Sequence, residues 1–324
     1  MDYQKLGRTG LEVSRLCLGM MGFSEEKGEW KLNEDEAELI VRTAVEGGVT
    51  FFDTAETYSD GASERVTGRL LPKFLKREDM VVATKVHPSA AAGSRSRGLG
   101  RKRIMAAIDG SLSRLGMDYV DIYQIHRWDP ETPIEETMAA LDDVVRAGKA
   151  RYIGASSMFA WQFAKAQRAA ERAGGAKFVS MQNHYNLVYR EEEREMIPAC
   201  IDDGVGVIPY SPLARGLLAG NRTRDGQSHS ARAAVDRHGD RLATDADFDV
   251  VDRVMQVAAE RQVPPAQIAL AWLRSRPGVT APVLGATKVR HVSDALAAEA
   301  VDLDRKEIAR LEEPYVPHLP IGHR

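Results

Sequence analysis

Gly47-Gly48-Val49-Thr50-Phe51-Phe52-Asp53 runs almost unbroken apolar into a carboxylate, and a phenol follows five residues later in Thr54-Ala55-Glu56-Thr57-Tyr58. Apolar side chains on successive positions mark a strand covered on both faces, as in a parallel sheet packed between helices. In α/β folds ligands bind beyond the carboxyl ends of such strands, so Asp53 stands where chemistry is done. Taken alone, the pair also has an ordinary reading in which Asp53 caps the next turn and Tyr58 simply packs.

Seven further apolar runs repeat the pattern: Arg15 to Gly19, Met80 to Lys85, Tyr119 to Ile125, Arg151 to Ala155, Phe178 to Gln182, Val205 to Tyr210 and Ala281 to Gly285. Helical periodicity alternates with them over Asn33 to Gly47, Arg101 to Gly116, Pro133 to Gly148, Ala160 to Gly174, Glu191 to Asp203, Asp247 to Gln262 and Pro264 to Arg276. Asn33 with Glu36 three residues on reads as a capping box, and Gly116 as a helix stop. Eight strand and helix units joined by right-handed crossovers fit a closed (β/α)8 TIM barrel better than an open sheet, as a single domain over 1–324. Ahead of it, Tyr3 to Leu6 and Leu11 to Ser14 flank the turn residues Gly7 to Gly10, an N-terminal β-hairpin placed as a lid or plug. The regularity fails once, in a long polar and basic loop after strand 7, within 211–245.

With 44 Lys and Arg against 47 Asp and Glu, the net charge of -3 gives no basic field for nucleic acid. No apolar run approaches the roughly 18 residues that would cross a membrane, and the first ten residues lack the apolar core of a signal peptide, so the cytoplasm is the expected location. Cys17 and Cys200 read as reduced core thiols. No metal site is expected, His229 and His238 in the long loop being the nearest approach to a pair.

The polar residues at the strand ends are Asp53 with Tyr58, Lys85, His126, Ser156 with Ser157, Gln182, and Tyr210 with Ser211. A phenol titrates near pH 10, so to give up a proton at neutral pH it needs a cation that favours the phenolate. Lys85 supplies that cation, and Asp53 is the carboxylate that would keep it charged. His126 would bond a substrate carbonyl or relay a proton.

These residues resemble the aldo-keto reductase family. The resemblance rests on Phe51 to Tyr58, Gly116 to Asp129, Gly148 to Met158, Met181 to Asn186 and Ile208 to Leu218, and it runs from about Tyr3 to His318. The tail from Leu311 to His318, with Arg127 and Trp128 after the histidine, resembles the family's bacterial branch beside the potassium-channel β-subunit relatives. The resemblance implies a barrel that binds NADP(H) extended and reduces carbonyls, with Tyr58 as general acid and Asp53, Lys85 and His126 completing a catalytic tetrad. It further implies that Asp53 also borders the cofactor, that Ser156, Ser157 and Gln182 hold the nicotinamide carboxamide, and that Tyr210 stacks on the ring. Ser211, Pro212, Leu213, Gly216 and Leu218 would follow along the cofactor, and Gly285, Thr287, Lys288 and His291 would take the adenosine phosphate. A helix start plus a cation suits a 2′-phosphate, which makes Lys288 the reader of NADP over NAD. In the long loop, Arg222, Arg224 or Arg232 would clamp the pyrophosphate once the loop closes.

The expected partner is a small carbonyl compound, with Met21, Trp30 and Trp128 facing it as apolar walls. A cofactor-bound regulatory subunit is the alternative from another class, and a barrel isomerase or lyase a third. Substrate identity and oligomeric state are not legible.

Overall fold

Residues 1–87, 98–225, 227 and 244–323 are described in the computed structural model of the chain. Strands β1 (Tyr3–Lys5) and β2 (Glu12–Ser14) pair antiparallel, Tyr3 opposite Ser14. Eight parallel strands follow: β3 (Cys17–Gly19), β4 (Phe51–Asp53), β5 (Val81–Val86), β6 (Val120–Ile125), β7 (Ala150–Ser156), β8 (Phe178–Gln182), β9 (Gly206–Val207) and β10 (Val283–Gly285). They pair in chain order from β3 to β9, and β10 lies beside β3. Parallel bridges from Val207 to Val279 and from Tyr210 to Val283 join the two ends of the sheet, so it closes as a (β/α)8 barrel.

The helices cover the outside: α1 (Glu34–Glu46), α2 (Ala62–Leu70), α3 (Arg101–Leu115), α4 (Ile134–Arg146), α5 (Ala160–Ala173), α6 (Met196–Asp203), α7 (Asp245–Arg261), α8 (Pro265–Arg274), α9 (Val289–Ala297) and α10 (Arg305–Glu312). The expected cap of α1 is present, Glu36 N–H donating to Asn33 Oδ1 at 3.0 Å while Asn33 N–H reaches Glu36 Oε2 at 3.3 Å. Gly116 ends α3 in the left-handed conformation, φ 63°.

Three elements depart from expectation. The helix expected over Glu191 to Asp203 divides into a 3-10 turn, Glu191–Glu193, and α6. Pro198 can occupy the first turn of α6 but has no N–H to continue a helix from upstream, and its ring would meet the carbonyl of Arg194. β9 stops earlier than Tyr210, because Pro209 breaks the ladder, although Tyr210 N–H still donates to Asn183 O at 3.0 Å. α2 was not expected, since its buried face mixes Ala62, Val66 and Leu70 with Ser63, Glu64 and Thr67.

The hairpin is a plug and not a lid. Leu6 and Val13 pack with Cys17, Phe51, Val81, Ala83, Ile122, Ile208, Ala281 and Val283 inside the barrel. Its polar edge is tied to the amino-terminal ends of the last strands, with Gln4 Nε2 donating to Thr280 O at 2.6 Å and Arg8 N–H to Gly204 O at 2.7 Å. Cys17 and Cys200 are both free and buried, and burial pushes the Cys17 thiol far above its usual range. Among the described residues no helix is long and apolar enough to cross a membrane.

Candidate active site

The carboxyl ends of β4, β5 and β6 bring four of the expected residues together. Lys85 is the penultimate residue of β5, its side chain is fully buried, and its Nζ donates to Asp53 Oδ2 at 2.5 Å, to Thr54 O at 2.8 Å and to Tyr58 OH at 3.2 Å. All three ammonium protons therefore have acceptors, which a buried lysine requires. Asp53 Oδ1 accepts from Gln182 Nε2 at 2.9 Å and from Gln124 Nε2 at 3.2 Å. Gln124 also packs over Gly154 of β7, where a Cβ would stand 3.0 Å from Gln124 Cγ and 2.3 Å from Ser180 Oγ. His126 follows β6, its ring edge-on to Tyr58 with centroids 5.6 Å apart and edge-on to His87 at 5.2 Å. Its buried Nδ1 has no hydrogen-bond partner among the described residues.

The electrostatics correct one expectation. Burial pushes the Tyr58 phenol above its usual value, and Lys85 opposes that push without reversing it. The phenol is thus not acidified at rest. Lys85 acts on the phenolate that proton donation would leave behind. Burial draws the Lys85 ammonium toward neutrality, but Asp53 and Tyr58 outweigh it and hold the group above its usual value. Burial, and then the Lys85 charge, hold His126 well below the ordinary imidazole value, so it is neutral at physiological pH.

Above this cluster opens a cavity of about 1320 Å³. That exceeds the roughly 300–1,000 Å³ of a drug-sized ligand site and suits a dinucleotide with a substrate. Asp53, Tyr58 and His126 line it, as do Met21, Trp30, Ser156, Gln182, Tyr210, Ser211, Pro212, Leu213 and Gly216. At its far end stand Gly285, Thr287, Lys288 and His291, with Lys288 as the N-cap residue of α9 and Thr287 N–H donating to His291 Nδ1 at 3.3 Å. Arg290 and Asp294 share that wall. A polar centre, a flat ring at Tyr210 and a cationic helix start at the far end fit the nicotinamide and phosphate ends of a dinucleotide.

Other expected residues lie elsewhere. Ser157 is set behind the cavity wall in left-handed backbone (φ 49°), its N–H donating to Asn183 Oδ1 at 2.8 Å and its hydroxyl 3.5 Å from Tyr210 OH. Leu218 is buried in the cluster under α7 and α8. Trp128 is not a cavity wall, because its indole packs edge-on against the exposed Trp161, centroids 6.1 Å apart. Arg224 turns to the start of α7, donating to Asp249 Oδ1 at 2.8 Å and Asp252 Oδ2 at 3.2 Å, and Arg222 is buried. Arg232, His229 and His238 fall outside the described residues, as do positions 226 and 228–243 of the long loop. Among the loop's described basic residues Arg215 is on the cavity wall, held in a kink where it and Gly216 have φ of 58° and 97°.

Sequence reasoning missed Gln124, His87, Asn183, Arg127, Arg215 and Arg290. Gln124 had a signal, since it sits two residues before His126 on one strand and so shares its inward phase.

The aldo/keto reductase family model matches residues 15–315. The chain is 44% identical to an aldo-keto reductase of Fusarium vanettenii, covering 99% of this chain and 93% of that protein. It is 43% identical to the versiconal hemiacetal acetate reductase of Aspergillus parasiticus, covering 98% of each. It is 41% identical to a candidate aryl-alcohol dehydrogenase of Schizosaccharomyces pombe, covering 97% and 96%. These relatives are fungal, so the placement in a bacterial branch, which rested on a short tail and two residues after His126, is corrected.

Proposed function

The chain belongs to the aldo/keto reductase family, oxidoreductases of carbonyl and alcohol groups, and from that premise we propose an NADP(H)-dependent carbonyl reductase with Tyr58 as general acid. The observation that carries this reading is the Lys85 ammonium, which joins the Asp53 carboxylate (2.5 Å) to the Tyr58 hydroxyl (3.2 Å) at the floor of the large cavity. On this reading residues 1–324 work as one barrel domain.

Bound reduced nicotinamide would supply the hydride. Tyr58 donates its proton to the carbonyl oxygen as the carbon is reduced, and the phenolate that remains faces Lys85. Asp53, fixed by Gln124 and Gln182, keeps Lys85 charged without taking part in the transfer. His126, neutral, offers a ring N–H to the same oxygen and helps to orient it. Gln182 already donates to Asp53, so its oxygen and second N–H are what remain for the nicotinamide carboxamide. Tyr210 gives the ring a face to lie on, and Lys288 at the start of α9 favours the 2′-phosphate of NADP. Oxidation of an alcohol runs back over the same residues, with the Tyr58 phenolate as base.

Met21 and Trp30 on the wall favour an aromatic or apolar carbonyl compound, which agrees with relatives named for a hemiacetal acetate and for aryl alcohols. The test is Tyr58→Phe, which removes the hydroxyl that carries the transferable proton and keeps the ring. NADPH oxidation by an aromatic aldehyde should fall by a factor on the order of 10² to 10⁴ or more, while nucleotide binding followed by fluorescence persists. Undiminished turnover would overturn the assignment.

A further inference from the structure

Arg127 is a cation of the reacting end that the tetrad does not use. It directly follows His126 beyond β6, and its Nη1 donates to His126 O at 2.8 Å, which fixes one side of the guanidinium. The side chain lines the cavity together with Tyr58, His126 and Tyr210. Its charge opposes the upward push of burial on Tyr58 and Tyr210 and adds to the downward push on His126. The neighbouring charges are already matched: Lys85 pairs with Asp53, and Arg103 with Glu56. Arg127 forms no ion pair among the described residues, and Nε and Nη2 have no protein acceptor among them. Arg127 is therefore a cation on the cavity wall without a carboxylate partner among the described residues, and its planar fork matches a carboxylate.

We propose that Arg127 selects oxo acids: carbonyl substrates with a carboxylate close to the reacting carbon, which the guanidinium holds while Met21 and Trp30 take the apolar remainder. The inference rests on the reductase reading and names the substrate class of that site. Arg127 is a binding residue for the substituent and takes no part in moving the proton. A carboxylate held there fixes the carbonyl against Tyr58 and His126 from a second point, so its contribution should appear in KM more than in kcat.

The test compares phenylglyoxylate, its uncharged methyl ester and benzaldehyde as NADPH-dependent substrates of the wild type, Arg127→Met and Arg127→Lys. The ratio of kcat/KM for phenylglyoxylate to that for benzaldehyde should fall about 10²-fold in Arg127→Met, the effect of losing a charge-assisted contact. Arg127→Lys, which keeps the charge but not the fork, should recover part of it, and the ratio for the methyl ester should change far less. An unchanged phenylglyoxylate ratio in Arg127→Met, or an equal fall for the ester, would overturn the proposal. Absence of turnover with every substrate would count against the reductase reading instead. Calorimetric binding of phenylglyoxylate to the NADPH-loaded proteins then decides the role of Arg127, with weaker binding to Arg127→Met supporting it and equal binding refuting it.

Discussion

The two ends of the barrel are built from the same strands, two residues apart. On β4 the inward positions are Phe51 and then Asp53, on β5 Ala83 and then Lys85, and on β6 Ile122 and then Gln124. The lower member of each pair joins Leu6 and Val13 of the hairpin in a dry apolar core. The upper members form a closed polar set in which Lys85 and the two glutamines satisfy both oxygens of Asp53. Apolar area stabilises the lower end without directional demands, whereas the upper end is stable only while every partner is present. Stability and chemistry are thus separated along the strand axis, and substitutions at the two ends should fail in different ways.

The largest effect belongs to Lys85→Met. It leaves Asp53 buried without its counter-ion and removes the group that faces the Tyr58 phenolate. Unfolding by urea should show a loss of about 3–5 kcal/mol, the cost of breaking a buried pair from one side, together with loss of NADPH oxidation. A variant as stable as the wild type would break the comparison, because the upper end would then not depend on its pairing. Leu6→Ala tests the other end. The cavity it leaves in the plug should cost about 2–5 kcal/mol in the same unfolding measurement, while kcat at a temperature well below melting stays that of the wild type. A fall in kcat would show that the plug positions the reacting residues and that the two ends are coupled.

This separation also explains what the sequence could convey. Unbroken apolar runs and strand-end position pointed to Asp53, Lys85 and His126, because each closes a run whose length fixes where it emerges. Tyr58 lies off the strand, in the turn whose N–H at Tyr58 donates to Ala55 O at 3.1 Å, and was legible through its spacing from Asp53 and the cation expected at Lys85, with which the family resemblance agrees. Gln124 and Asn183 went unread, because an amide inside or just after a strand looks like any polar position until its partner across the barrel is known. Two of the expected residues stand off the cavity wall for a common reason. Trp128 and Arg224 have the right side-chain types in the right segments, but short-range partners, Trp161 for one and Asp249 with Asp252 for the other, claim them first. The α2 helix escaped notice because Ser63 faces inward to bond Met20 O at 2.8 Å and Glu64 pairs with Arg114, so its buried face does not read as apolar.

The smallest effect sharpens the comparison within the upper end, far from the reacting groups. Lys288 stands at the start of α9, a nine-residue helix whose first N–H groups and dipole favour an anion. The positive potential there is visible in His291, which burial, and then Arg290 and Lys288, hold below the ordinary imidazole value. Removal of Lys288 leaves Arg290 and the helix start in place, so Lys288→Ala should be only partly damaging. The KM for NADPH should rise about 10-fold, the scale of one charge-assisted phosphate contact, with the KM for NADH nearly unmoved and with stability unchanged. The NADPH effect should shrink as salt is raised, since a partly exposed ammonium acts on a phosphate through screened charge. Equal rises for the two nucleotides would mean that Lys288 supports the loop and does not read the 2′-phosphate, and the reader of that group would then be sought in Arg290 on the same wall.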